Sequence, residues 1–214
     1  MATTKVAVRR TQADRRDSSR TLILDAAVEL LVESGYCGTT TVAIQARAGV
    51  TRGRLLHHFP SRDALLVAAA QHLAEKRIVE MERWFEQTND PYPGGGGRID
   101  RAIAYLWNTF RQPYFWAGME LWSAARTDDT LRNELAAAEP RLGRAIQQVI
   151  ATMFGPVHSS HPAFGGVREL LFSSMRGVAL TYSIIERDHE MDPHLNLWRA
   201  VARQMLDVAP DDDQ

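Results

Sequence analysis

Apolar residues recur along the chain at spacings of three and four, the period of an α-helix, and no stretch alternates as a half-buried strand does. Ile23, Ala26, Ala27, Leu30 and Leu31 form the first such stripe, and Gly35 stops it. Thr39, Thr40 and Thr41 supply a cap for a short helix reaching about Ala48. Gly49–Val50 turns the chain, and Thr51 caps a third short helix ending near Phe59–Pro60. Ser61 caps a fourth, much longer helix, with Leu66, Ala69, Ala70, Leu73, Met81 and Trp84 on its inner face.

The pattern breaks at Asn89–Gly97, where proline and four consecutive glycines predict a mobile loop. This run lacks the Lys-Ser/Thr of a phosphate-cradling glycine loop, and no strand precedes it. Helices are then expected over Arg98–Arg111 and, with Pro113 in the first turn, over Tyr114–Arg126. Another runs over Asp128–Phe154, with a kink or restart at Pro140. Residues 155–166 (GPVHSSHPAFGG) read as loop. Val167–Arg187 and Leu195–Val208 form two final amphipathic helices, separated by Asp188–Pro193. The expectation is an all-α chain of about nine helices without internal repeats. No apolar run approaches the ~18 residues of a bilayer-spanning helix, and the N-terminus carries no apolar signal core. The single cysteine, Cys37, excludes an internal disulfide framework and a multi-cysteine metal site. A soluble cytoplasmic protein with no membrane partner is expected.

Composition is near the globular average, at 45% hydrophobic and 24% charged residues, which excludes wholesale disorder. The formal net charge of -1 conceals segregation. Residues 1–62 carry ten Lys/Arg against five Asp/Glu, and the rest of the chain carries 15 against 21. A basic head on an acidic body suits a polyanion partner at one end only. Within the head, residues 1–17 read as a flexible basic arm with Arg9–Arg10 and Arg15–Arg16. Such an arm either enters a minor groove or merely solubilises the chain. Residues 209–214 form an acidic tail.

Three helices, the second and third short and joined by Ala48-Gly49-Val50-Thr51, fit a helix-turn-helix. The glycine accommodates positive φ, Val50 plugs the angle between the helices, and Thr51 caps the next one. The third helix then turns Leu55 and Phe59 inward and Arg52, Arg54 and His57 outward, a shape suited to a DNA major groove. Arginine grips O6 and N7 of guanine with two hydrogen bonds, worth roughly 1–3 kcal/mol of discrimination.

From about Leu22 to Leu73 the chain resembles the TetR family of bacterial transcriptional regulators. The resemblance rests on Gly35-Tyr36, Thr39-Thr40, Ala48-Gly49-Val50-Thr51, His58-Phe59 and Ser61-Arg62-Asp63, in the family's order. It implies an N-terminal DNA-binding domain over 18–62 and a helical effector-binding and dimerisation domain over 63–208. Carried over residue by residue, it places Thr41, Thr51, His58 and Arg62 at the sugar-phosphate backbone. Val42 falls at the groove edge near a thymine methyl, and Arg52, Arg54 and His57 at the bases. His58 has packing and helix capping as its competing role. The sequence departs from the family at Leu56, where a tyrosine usually meets a phosphate, at Gln45 in place of a small alanine, and at Arg62 in place of lysine.

For the body, the resemblance implies a small-molecule effector and a homodimer formed by the last two helices. The residues allow this independently. The eighth helix is apolar on more than one face and carries small residues that permit close approach. The expected interface comprises Ser174, Gly177, Val178, Thr181, Tyr182 and Ile185, with Trp198, Val201, Ala202 and Met205 from the ninth. Tyr105, Trp107, Phe110, Phe115, Trp116, Met119 and Trp122 crowd the fifth and sixth helices, either filling a core or lining a pocket. As pocket walls, opposite Met153, Leu171 and Met175, they predict an aromatic or lipophilic effector. The long fourth helix would carry its effect to the head, where half-sites one turn apart demand recognition helices near 34–36 Å.

No cofactor, metal or enzymatic activity is expected. His158, His161, His189 and His194, with Glu186, Asp188, Glu190 and Asp192, lack metal-ligand spacing and read as solvated loops and caps. No Gly-x-Ser-x-Gly elbow occurs. Cys37 reads as a small packed side chain rather than a redox sensor. The competing function is an all-α binding module whose head no longer binds DNA, for which Leu56 gives some footing. Repression rather than activation is the family's usual mode.

Overall fold

The computed structural model describes residues 12–87, 94–185 and 192–208. These form nine α-helices and, among the described residues, no strand: α1 (Gln12–Gly38), α2 (Thr41–Ala48), α3 (Arg52–His58), α4 (Arg62–Gln87), α5 (Gly96–Thr109), α6 (Pro113–Ala125), α7 (Asp129–Ser159), α8 (Phe164–Tyr182) and α9 (Pro193–Met205). They divide into two compact units. One holds the chain up to residue 73 together with 117–135; the other holds 74–116 and 136 onward.

In the first unit, the apolar stripe of α1 is the floor on which the short helices settle. Ile23, Leu24, Ala27 and Leu31 are at most 1% exposed, as are Ile44 of α2, Leu55 of α3 and Leu65 and Leu66 of α4. Leu121 of α6 and Leu131 of α7 are fully buried in the same unit. A helix as short as α2 or α3 is marginal alone and depends on such burial. α1 starts at Gln12, inside the stretch expected to be an arm; residues 1–11, with Arg9 and Arg10, lie outside the described residues. Gly35 breaks α1 as expected, with φ 64°, but one more turn follows it to Gly38. That turn exposes Cys37, which is therefore not the packed side chain the sequence suggested.

The second unit has its own core, built from Ile99, Ile103, Leu106 and Trp107 of α5, Phe110 at its C-cap, Met153 and Phe154 of α7, Leu171 and Met175 of α8, and Trp198 and Ala202 of α9. α5 begins at Gly96 with Gly95 extended as its N-cap, so the glycine run is partly helical rather than all loop. Residues 88–93 and the Trp84 side chain lie outside the described residues.

α7 departs most from expectation. Its backbone stays helical through Pro140, and the break comes fifteen residues later at Gly155, with φ 78° and ψ 167°. Glycine adopts this conformation readily and Pro156 starts the next turns, where its missing N–H costs nothing. Arg98 fills the notch, donating to the carbonyls of Thr152 (2.9 Å) and Met153 (3.1 Å) that the break leaves over. Helix thus continues to Ser159 and resumes at Phe164, through most of the segment expected to be loop. His158 is accordingly buried, not solvated. The expectations for residues 186–191 and for the tail from 209 onward lie outside the described residues.

Candidate nucleic-acid interface

Local sequence chemistry sets the angle between α2 and α3. Thr40 caps α2, its hydroxyl accepting from the Ala43 amide at 3.2 Å. Gly49 ends α2 in the left-handed region (φ 65°, ψ 33°), and its amide and that of Val50 both return to the Gln45 carbonyl. Thr51 then leaves in extended conformation and caps α3 through the Arg54 amide at 3.3 Å. A β-carbon at residue 49 would meet no neighbour, so the glycine serves the backbone turn alone. Leu55 pins α3 from below, with Phe59 buried at its end.

With Leu55 fixed inward, α3 turns Arg52, Arg54, Leu56 and His57 to solvent, and Thr51 is also exposed. Val42 on α2 is 73% exposed and Leu56 47%, apolar side chains with no cover in the single chain. Thr41 and His58 are half-buried. The His58 ring stands edge-on to His57 (5.5 Å between centroids) and tilted against Phe59 (6.2 Å), beside the buried end of the helix.

Arg47 and Arg62 of the head are engaged within the fold. Arg47 pairs with Glu33 at 2.7 Å and Glu29 at 3.0 Å, tying α2 to α1. Its hydrogen bond holds the Glu33 carboxyl below the usual range. Arg62 lies over the Tyr36 ring, 4.2 Å from its centroid, and donates to the carbonyls of Tyr36 and, at 2.8 Å, Thr39. The Tyr36 hydroxyl donates to Asp63 (3.1 Å) and Asp128 (3.4 Å), while the Tyr36 amide donates to Glu120 (3.1 Å). Burial first, then the Asp63 hydrogen bond, raises the Tyr36 hydroxyl above its ordinary pKa. Sequence reasoning missed this hub because Glu120 and Asp128 lie 84 and 92 positions from Tyr36. The only signal was the Gly35-Tyr36 pair itself.

The family described as bacterial regulatory proteins, tetR family, matches residues 23–69, which span α2, α3 and parts of α1 and α4. The regulator CymR of Pseudomonas putida is 28% identical over 182 residues, 85% of this chain and 87% of that one. The N-terminal helix-turn-helix domain of this chain is that of the TetR family. The chain is a DNA-binding transcriptional regulator and not an enzyme.

Solved structures of transcriptional regulators share the fold of this chain. A transcriptional regulator from Rhodococcus sp. Rha1 superposes with a TM-score of 0.66 at 22% identity, covering 90% of this chain and all of that one. FadR from Bacillus subtilis, solved with stearoyl-CoA, gives 0.58 at 16% identity, covering 89% and 99%. Among the described residues, no helix is long and apolar enough to cross a membrane, and no group of three His, Cys, Asp or Glu is placed to hold a metal ion.

The residues expected around an effector separate by location. Trp107, Phe110, Met153, Leu171 and Met175 are at most 2% exposed in the second unit, with Trp107 tilted against Trp198 at 4.9 Å between centroids and Phe110 edge-on to Phe115 at 5.0 Å. Tyr105, Phe115 and Trp116 are half-buried there. Met119 and Trp122 belong to the first unit, and Trp122 is 43% exposed.

Of the expected dimer residues, Trp198 and Ala202 face the chain's own core, where Trp198 donates to the Ser174 hydroxyl at 2.9 Å. They are not surface groups, because the stripe containing them packs against α5 and α8. Val178, Tyr182 and Met205 are half-buried against the same core, and Val201 is half-buried on α9. The outward face of α8 instead carries Leu170, Gly177, Leu180 and Thr181, the turn after it carries Ile184 and Ile185, and the outward face of α9 carries Leu197. Ile184 is 88% exposed and Leu197 57%.

Proposed function

We propose that this regulator is a repressor that binds a palindromic operator as a homodimer and is released by a small aromatic or lipophilic effector. A DNA-binding head over 18–62 serves a body over 63–208 that binds effector and partner copy, and the protein works in the cytoplasm. One observation carries the reading of DNA: a Thr51-capped helix, pinned by Leu55, that offers Arg52, Arg54 and His57 to solvent. Arg52 and Arg54 read guanine, His57 a neighbouring base and Val42 a thymine methyl. Thr41, Thr51, His58 and Arg62 lie along the phosphates, Arg62 acting mainly by bracing the turn before α4.

Pairing of two copies is supported by the uncovered apolar residues of α8, the turn after it and α9, because Leu170, Leu180, Ile184, Ile185 and Leu197 would otherwise stand in water. An effector of this class is supported by the half-buried Tyr105, Phe115 and Trp116 around an aromatic core, and by the acyl thioester bound to FadR. The effector releases DNA only by preferring a conformation whose recognition helices miss successive half-sites. Selecting duplexes from a random pool, with sedimentation of the selected complex, tests this reading. The expected result is an inverted repeat holding an even number of chains. Enrichment of an asymmetric site by a single chain would refute it.

A further inference from the structure

Gly53 sits where nothing inside the chain asks for a glycine. α3 advances about 100° per residue, so the positions opposite the buried Leu55 are residues 53 and 57. Gly53 is therefore at the middle of the outward face, next to His57 and between Arg52 and Arg54. Glycine is the poorest helix former after proline, and α3 has only seven residues over which to absorb that weakness.

The two usual justifications both fail here. Gly53 keeps a helical backbone and is absent from the positive-φ glycines, which are Gly35, Gly49 and Gly155. A β-carbon added to it would meet nothing within 4 Å, whereas one added to Gly155 would strike the Arg98 guanidinium at 2.5 Å. Gly118, Gly143, Gly165 and Gly177 share these open surroundings, but of the five only Gly53 lies on the outward face of α3. On the recognition helix of a DNA-binding regulator, the body that approaches this face is the duplex.

We propose that Gly53 is a clearance position: its bare α-carbon lets the backbone of α3 seat directly against the base edges on the floor of the major groove. Any side chain there lifts the helix away from the bases. Arg52, Arg54 and His57 then reach across a longer gap, and hydrogen bonds weaken steeply once donor and acceptor part beyond about 3.2 Å. Gly53 is a positioning residue that makes no polar contact of its own. Its role rests on base reading by α3.

The proposal requires one substitution to move stability and binding in opposite directions. Gly53→Ala in the full chain should raise the thermal unfolding midpoint without DNA by roughly 2–4 °C, as alanine for glycine does in an open helical site. The same variant should bind the operator selected by the wild-type protein at least ten-fold more weakly at fixed salt, losing less on unrelated duplex. Gly143→Ala on α7, where a β-carbon also meets nothing within 4 Å, is the control: it should stabilise the chain and leave operator affinity unchanged. Gly53→Ala with undiminished operator affinity, or with a lowered midpoint, overturns the proposal. A wild-type chain that selects no duplex would instead count against base reading itself, and so be told apart.

Discussion

The Arg62 guanidinium lies over the Tyr36 ring, 4.2 Å from its centroid, while donating to the carbonyls of Tyr36 and Thr39. One side chain at the start of α4 thereby closes the end of α1 and the approach to α2. A planar guanidinium can stack and bridge two carbonyls at once, which a lysine ammonium cannot.

Arg62→Ala should destabilise the DNA-free chain by about 2–3 kcal/mol, since two charge-assisted hydrogen bonds and a ring contact disappear together. Arg62→Lys should recover only part of that loss. Denaturant titration of the three proteins measures it. Were Arg62 chiefly a phosphate ligand, lysine would serve equally well and unfolding would not distinguish them.

Tyr36 should make the chain sensitive to alkali. Its hydroxyl is raised above the ordinary value, so the protonated form is favoured by the fold. The stability it contributes is fully present below the unfolded pKa, about 10, and is lost as pH rises through the higher folded value. Tyr36→Phe removes the donor to Asp63 and Asp128 and should cost about 1–2 kcal/mol near neutral pH. The gap between the two proteins should be constant up to about pH 10 and then close. A gap that widens with alkali would contradict this assignment.

Leu56 carries an exposed side chain on α3 that brings no polar group to a duplex. Leu56→Tyr adds a phenolic hydroxyl within reach of the phosphates and should tighten binding to specific and unrelated duplex alike, by about three- to ten-fold, the worth of one modest hydrogen bond. Fluorescence titration on both duplexes measures it; tightening on one alone would show that residue 56 meets bases instead.

The outward face of α8 and the turn after it supply a further expectation. Leu180→Glu combined with Ile184→Glu places two carboxylates on the proposed pairing surface, at positions 40% and 88% exposed in the single chain. The variant should remain folded, sediment as a single chain, and lose operator affinity by a hundred-fold or more because two half-sites are no longer held together. Sedimentation velocity and circular dichroism read both outcomes.

How much of this was legible in the sequence follows from how local each cause is. The α2–α3 turn was readable because Gly49, Thr51 and the Thr40 cap act on amides at most four residues away. Of the kink or restart expected at Pro140, a restart does not occur, because the break needs Gly155 and Pro156 together with Arg98, more than fifty positions distant. The stripe Trp198–Ala202 was read correctly as apolar, but periodicity does not say whether a stripe faces its own core or a second copy. For Arg62, the residue type suited a phosphate as well as a carbonyl; only the position of Tyr36, twenty-six residues earlier, separates the two.

Operator recognition by this chain depends on base reading by α3. The most direct measurement is the affinity of Arg52→Ala and Arg54→Ala for the selected operator and for duplexes changed at one base pair at a time. Each variant should lose discrimination of about 1–3 kcal/mol at one particular G·C pair and remain normally selective elsewhere. An equal loss on every duplex, with the wild-type preference intact at all positions, would mean that these arginines meet only phosphate, and would contradict it.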